Sequence, residues 1–121
     1  MIDVIHSHKE LLVWQRSMQL VKEVYLLTEK LPKSELFGLT SQMRRSAVSI
    51  PSNIAEGRRR FHKKEFIQFL TIAYASGAEL ETQIEIVKSL PFGEKLDYTN
   101  SDSLLLETMK MLNKMISSLN S

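Results

Sequence analysis

The residue types with the clearest chemical potential lie in one short stretch, EGRRRFHKKEF, at residues 56–66. It combines an aromatic ring and a histidine with five cationic side chains: Arg58, Arg59, Arg60, Lys63 and Lys64. Cations that displace counterions from a nucleic-acid backbone gain affinity without reading its sequence. If a helix resumes by about Phe61, then Arg60, Lys63 and Lys64 share one exposed side, and Phe61 or His62 can stack on an unpaired base. The stretch therefore predicts a surface that binds RNA or DNA.

Charge is segregated along the chain. From Gln42 to Lys64, those five cations together with Arg44 and Arg45 stand against one acid, Glu56, which gives a balance of +6. Because the whole chain carries only +2, the rest of it sums to −4. A basic patch on a mildly acidic body is typical of a protein with an anionic partner.

A structural interpretation of the same cations stays open. Arginines and lysines that follow Gly57 can complement the negative C-terminal end of a helix and remain hydrated. Arg44 and Arg45 fall within a predicted helix, where one of them can equally bridge to a carboxylate at a subunit contact. The candidate carboxylates are Glu56, Glu79 and Glu81.

The sequence carries no pattern that indicates an enzyme or a metal site. His62 and Glu65 stand three residues apart, but di-iron bundles need Glu-x-x-His on two helices, and here the order is reversed, occurs once and lies among cations. There is no cysteine, Gly-rich phosphate loop or nucleophile elbow, and the serines of SAVSIPSN indicate helix packing. We expect no catalysis, no metal and no cofactor.

Length and composition favour one globular domain over residues 1–121. The chain is 43% hydrophobic and 25% charged, which is ordinary for a folded protein. No apolar run approaches the roughly 20 residues that cross a bilayer, and the first residues lack the pattern of a signal peptide. The expectation is a soluble cytoplasmic protein without a membrane partner.

Helices must position the candidate functional residues, because apolar residues recur every three or four positions in four stretches of the chain. The first runs from a capping box at Ser7 and Glu10 to Leu31, before Pro32. The second runs from Leu39 to Gly57, with Gly57 as a left-handed C-terminal cap. Pro51 predicts a kink within it, and the alternative is two short helices.

The third stretch runs from about His62 to Leu90, and Gly77 within it predicts close approach of another helix. Asn100 or Ser101 is the expected cap of the fourth. Without period-two alternation or hairpin turns, the prediction is an all-α protein, an antiparallel up-down-up-down four-helix bundle. The apolar faces of the first and third helices are wider than one bundle needs, which predicts self-association.

The sequence LLVWQRSMQLVKEVYLLTEKLPKSELFGLTSQMRRSAVSIPSNIAEGRRR, followed by EFIQFLTIAYASGAELETQ, closely resembles a known family. It is the four-helix-bundle family of proteins encoded in intervening sequences of 23S rRNA genes, also called the S23 ribosomal protein family. That family is related to the accessory variability proteins of diversity-generating retroelements. The segment SQMRRSAVSIPSNIAEG is its most specific match.

The resemblance implies a non-enzymatic bundle that assembles into a homopentamer. In the retroelement branch, it implies a basic surface that binds nucleic acid and a partner reverse transcriptase. In the present sequence, the residues that match the basic positions of the family are Arg44, Arg45, Arg58, Arg59 and Arg60. The alternative function is a structural or protein-docking bundle with no role in nucleic-acid binding.

Overall fold

The computed structural model describes residues 7–121, and within that range it contains helices and no strand. Four α-helices account for most of the chain: α1 (Leu12–Thr28), α2 (Ser41–Arg58), α3 (Lys63–Ser89) and α4 (Thr99–Asn120). Short 3₁₀ turns lie at His8–Glu10, Lys33–Glu35 and Pro91–Gly93, and a π-helical turn lies at Leu36–Thr40. The all-α prediction is confirmed. Among these helices, none is both long and apolar enough to cross a membrane.

The four helices surround one hydrophobic core. α2 packs against α1 and α3, and α4 packs against the same two helices. The largest fully buried side chains come from all four helices and include Leu20, Met43, Ile50, Leu70, Leu80 and Leu112. Burying such a side chain contributes about 1.5–3 kcal/mol relative to leaving it in water.

Contacts between neighbouring helices pair the end of one with the start of the next. Arg44 near the start of α2 contacts Thr28 at the end of α1. Lys88 at the end of α3 contacts Asp102 at the start of α4. These pairings are consistent with the predicted up-down-up-down order.

α2 and α3 approach each other closely because small side chains lie between them. The Ser49 and Ser76 hydroxyl oxygens are 2.7 Å apart in a hydrogen bond across the interface. Asn53 Nδ2 donates to both the Ser49 carbonyl (2.8 Å) and the Ser49 hydroxyl (2.9 Å), which fixes that serine in place. Of the serines of SAVSIPSN, Ser49 thus serves packing between helices and Ser46 is buried, whereas Ser52 is exposed.

Two buried glycines mark close approaches between helices. A Cβ on Gly57 would lie 2.7 Å from Phe69 Cβ, and a Cβ on Gly77 would collide with Met109 Sδ. The prediction that another helix comes close to Gly77 is therefore confirmed. The predicted cap at Gly57 is wrong, because this residue lies inside α2 and no glycine among residues 7–121 has a positive φ.

Two predicted helix starts are also wrong. Ser7 does act as a cap, but its hydroxyl accepts from Lys9 N (3.1 Å) at a 3₁₀ turn, and α1 begins only after it. In α4, Asn100 and Ser101 lie inside the first turn, and Tyr98 occupies the cap position. The Asp97 carboxylate accepts from Thr99 N (2.9 Å), an Asx-type turn that starts the helix earlier.

α2 runs without interruption through Pro51, which is buried. The alternative of two short helices is therefore wrong, whereas a bend at Pro51 stays a prediction. A proline can lie within a helix when neighbouring groups take over the hydrogen bonding that it removes.

We predict that Gly57→Ala destabilises the protein by about 1–3 kcal/mol, as is usual for overpacking of a tight contact. The new methyl group would meet Phe69 near its backbone, where little relaxation is possible. Chemical denaturation of the purified variant measures the change in unfolding free energy.

Gly77→Ala is the matched control. Its methyl group meets the flexible end of Met109, which can move away, and alanine gains about 1 kcal/mol of helix propensity over glycine. We expect a near-neutral change. Equal losses in the two variants would contradict the inference that the contact at Gly57 is the one that cannot relax.

Candidate nucleic-acid interface

The predicted cationic stretch forms the connection between α2 and α3. α2 ends at Arg58 and α3 begins at Lys63, so only residues 59–62 separate two tightly packed helices. The close contact of Gly57 with Phe66 and Phe69 holds the two helix ends together. We call residues 58–64 the basic turn. It brings together five of the seven predicted site residues.

The three arginines of the basic turn differ in their surroundings. Arg60 Nη2 donates to Glu56 Oε2 at 2.8 Å, and its guanidinium lies 4.8 Å from the centre of the Phe69 ring. Arg58 is half-buried and Arg59 is exposed. All three lie at the C-terminal end of α2, where positive charge is favourable. The Arg60 guanidinium is therefore already in contact with groups of its own chain.

The two lysines lie at the opposite kind of helix end. Lys63 and Lys64 are exposed in the first turn of α3, where the helix dipole disfavours positive charge. The cap residue His62 makes no side-chain hydrogen bond to that turn. An anion placed here would meet two ammonium groups and the backbone N–H groups of a helix N-terminus. Because α3 begins only at Lys63, Arg60 lies outside this helix. The expectation that Arg60 shares a helical face with Lys63 and Lys64 is therefore wrong.

Phe61 lies at the tip of the basic turn and is 92% exposed. His62, beside it, is also exposed. A ring in this position contributes almost nothing to the core and is open to stacking on a flat partner. The predicted stacking residues are thus accessible and surrounded by cations.

A neighbouring segment that sequence reasoning missed extends this surface. The 3₁₀ turn at His8–Glu10 packs against α2 and brings His8 close to Arg59. Burial lowers the pKa of His8 below its ordinary value of 6.5, and the charges of Arg59 and Lys9 lower it further. The His8 ring lies edge-on to Trp14, 5.2 Å between ring centres. The capping motif around Ser7 was the available signal, but it indicated only a helix start.

Arg44 and Arg45 lie away from the basic turn. Arg58 lies thirteen positions after Arg45 in α2, which is about 20 Å along the helix. Arg44 Nε donates to Thr28 Oγ1 at 2.9 Å, and its guanidinium lies 4.4 Å from the centre of the Tyr25 ring. Arg45 is exposed and makes no ion pair within residues 7–121. These two arginines form a separate feature.

Within residues 7–121, no three histidine or carboxylate side chains come together in a group that could hold a metal ion. Glu65 lies close to His62 in sequence, at the start of α3. The arrangement around the basic turn can bind an anion but offers no nucleophile paired with a base.

Protonation of His8 is expected to destabilise the fold, because its pKa is lower in the folded state than in the unfolded chain. The free energy of unfolding should be largest above about pH 6.5, the pKa of His8 in the unfolded chain. It should fall as the pH drops towards the lower pKa of His8 in the folded protein. Denaturation at about pH 7.5 and about pH 5.5 should show a larger loss for the wild type than for His8→Gln.

An NMR titration provides the control for this assignment. Arg59→Ala should raise the pKa of His8, because it removes a nearby positive charge. An unchanged His8 titration in Arg59→Ala would place Arg59 outside the surroundings of His8.

Comparison with known proteins identifies the family of this chain. The family described as 23S rRNA-intervening sequence protein matches residues 9–114. No curated protein matches the chain.

A similar solved structure is that of a protein with unknown function from the S23 ribosomal protein family of Bacteroides thetaiotaomicron VPI-5482. The TM-score is 0.75 at 24% sequence identity, and the alignment covers 87% of this chain and 98% of that one. At this identity, the comparison establishes a shared fold. Because the family match spans most of the sequence, from the turn before α1 into α4, the chain belongs to the 23S rRNA-intervening sequence protein family.

Proposed function

We propose that the protein is a non-enzymatic, homo-oligomeric adaptor of the cytoplasm whose basic turn binds RNA or another nucleic acid. The ligand class follows from the charge: five cations in seven residues suit a polyanion better than a single small anion. The resemblance described above suggests a pentamer. Repetition of one weak site around such an assembly would increase its avidity for a long nucleic acid.

The observation that carries this proposal is the position of Lys63 and Lys64. Charges at the C-terminal end of α2 have a structural explanation, because Arg58, Arg59 and Arg60 complement its dipole. The two lysines have none, since they lie at the positive end of α3 and are not in ion pairs within residues 7–121. Side chains that oppose the local field of the protein are typical of positions kept for a ligand.

The stacking of Phe61 on an unpaired base would add a contact that does not depend on charge. Aromatic stacking contributes about 1–3 kcal/mol per base and tolerates any sequence. Cations around an exposed ring therefore favour nucleic acid with unpaired bases, such as the loops of a structured RNA. This is the reason to test loops and single strands beside duplexes.

Lys63→Glu/Lys64→Glu should separate binding from folding. Carboxylates at the start of α3 complement the helix dipole, so we expect the unfolding free energy to stay equal or rise by about 0.3–1 kcal/mol per site. RNA affinity should fall strongly, and the log–log salt slope should become shallower by about 1.5, since each phosphate contact contributes roughly −0.7 to −0.9. Filter-binding titrations at several salt concentrations measure both quantities.

Lys22→Glu/Lys95→Glu is the matched control, because it changes net charge equally at exposed lysines outside the basic turn. It should leave most of the affinity in place. Equal weakening by both double variants would mean that net charge, and not this site, attracts the ligand. No binding by the wild type at low salt would favour the alternative of a structural or protein-docking bundle.

A further inference from the structure

We propose that the 3₁₀ turn at His8–Glu10 is a second part of the nucleic-acid interface, in which Lys9 contacts phosphate and His8 takes up a proton from solvent when the nucleic acid binds. This inference rests on the proposed function, because it concerns the same ligand. Two residues that are far from the basic turn in the sequence thereby join the site, and binding becomes dependent on pH.

The His8–Glu10 turn lies beside the basic turn. It precedes α1 and packs against α2. His8 is close enough to Arg59, the first residue after α2, for the charge of Arg59 to act on the imidazole. Lys63 and Lys64 begin α3, which packs against α2 as well. Arg59 therefore links the His8–Glu10 turn to the lysines of the basic turn.

Contacts within the chain hold the His8–Glu10 turn in place. Leu11 N donates to the His8 carbonyl (3.0 Å), which closes the turn. Gln15 Nε2 donates to the Lys9 carbonyl (2.9 Å), which ties the turn to α1. Because the segment is already ordered, a ligand that contacts it does not have to immobilise its backbone on binding.

Lys9 is the cation that this turn offers to a ligand. It is exposed and is in no ion pair within residues 7–121. Glu10 carries the opposite charge, so the turn has no net charge while His8 is neutral. A proton on His8 makes the turn positive beside Arg59 and extends the cationic surface of the basic turn.

His8 is half-buried, and its two ring nitrogens differ. Nδ1 is buried and has no hydrogen-bond partner within residues 7–121, which leaves Nε2 as the nitrogen that can take a proton from solvent. The cations that act on the ring are Arg59, which follows α2, and Lys9 of the same turn, whereas α1 contributes the uncharged Trp14. Burial and these two charges keep the pKa of His8 below its ordinary value of 6.5.

An anion bound at Arg59 and Lys9 neutralises the two charges that oppose protonation of His8. A phosphate group beside the ring also attracts the imidazolium, so the pKa of His8 should rise on binding. A group whose pKa is higher in the complex than in the free protein strengthens binding as the pH falls. The nucleic acid should therefore bind more tightly at about pH 5.5 than at about pH 7.5.

Lys9→Gln tests the phosphate contact. The probe is a synthetic hairpin RNA with a G·C stem and a loop of uridines, which offers paired and unpaired nucleotides. In filter-binding titrations, the log–log salt slope should become shallower by about 0.7–0.9, since one phosphate contact is lost. Lys22→Gln is the matched control, because it removes an exposed lysine in the middle of α1 and should leave the slope unchanged.

His6→Gln/His62→Gln tests the proton uptake, because it leaves His8 as the sole histidine of the chain. The affinity of this variant for the hairpin should rise about three- to tenfold between about pH 7.5 and about pH 5.5, since an increase of one unit in the pKa corresponds to at most about tenfold. Adding His8→Gln should remove most of this rise. Circular dichroism at both pH values checks that each variant is folded.

An NMR titration measures the same coupling directly. In the variant with His8 as the sole histidine, a saturating amount of the hairpin should raise the pKa of the His8 ring above its value in the free protein. This measurement does not require any change at His8 itself, so it does not depend on the folding of His8→Gln.

The possible failures are distinguishable. A wild type that does not bind the hairpin at low salt would overturn the proposed function, and this inference with it. Binding that is lost in Lys63→Glu/Lys64→Glu, with equal slopes for Lys9→Gln and Lys22→Gln, would overturn the contact at Lys9 alone. A rise in affinity that persists after His8→Gln, or a His8 titration that the hairpin leaves unchanged, would overturn the proton uptake.

Discussion

The close packing of α2 against α3 is the constraint on which the rest of the structure depends. Ser49, Gly57 and Ser76 are small enough for the two helices to come into close contact at these positions. This approach leaves only residues 59–62 to connect the two helices. It also fixes which residues of α2 and α3 lie at the same height. The shape of the basic turn follows from this packing.

The short connection concentrates like charges in a small volume, which costs energy in an isolated chain. The C-terminal end of α2 and the Glu56 carboxylate stabilise the arginines, which offsets part of this repulsion. The dipole at the start of α3 instead disfavours the charges of Lys63 and Lys64. The electrostatic asymmetry between two adjacent helix ends thus separates the cations that have a structural role from those that are free for an anionic partner.

The two most exposed phenylalanines lie near opposite ends of α2. Phe61 is surrounded by cations at one end of α2, and Phe37 lies in an apolar hollow beside Arg45 at the other end.

The sequence by itself determined the four helices, the all-α class and the close approach at Gly77, because apolar periodicity and the cost of a mid-helix glycine are local properties. It also located the cations. Only the tertiary structure decided that Arg44 and Arg45 lie about 20 Å from the basic turn, that Arg60 is engaged by Glu56 and Phe69, and that His8 lies close to Arg59. It also decided that Gly57 is a packing contact and not a cap. The physical reason is that neighbours in space depend on how helices cross and where each one starts, and these are set by contacts between segments far apart in the chain.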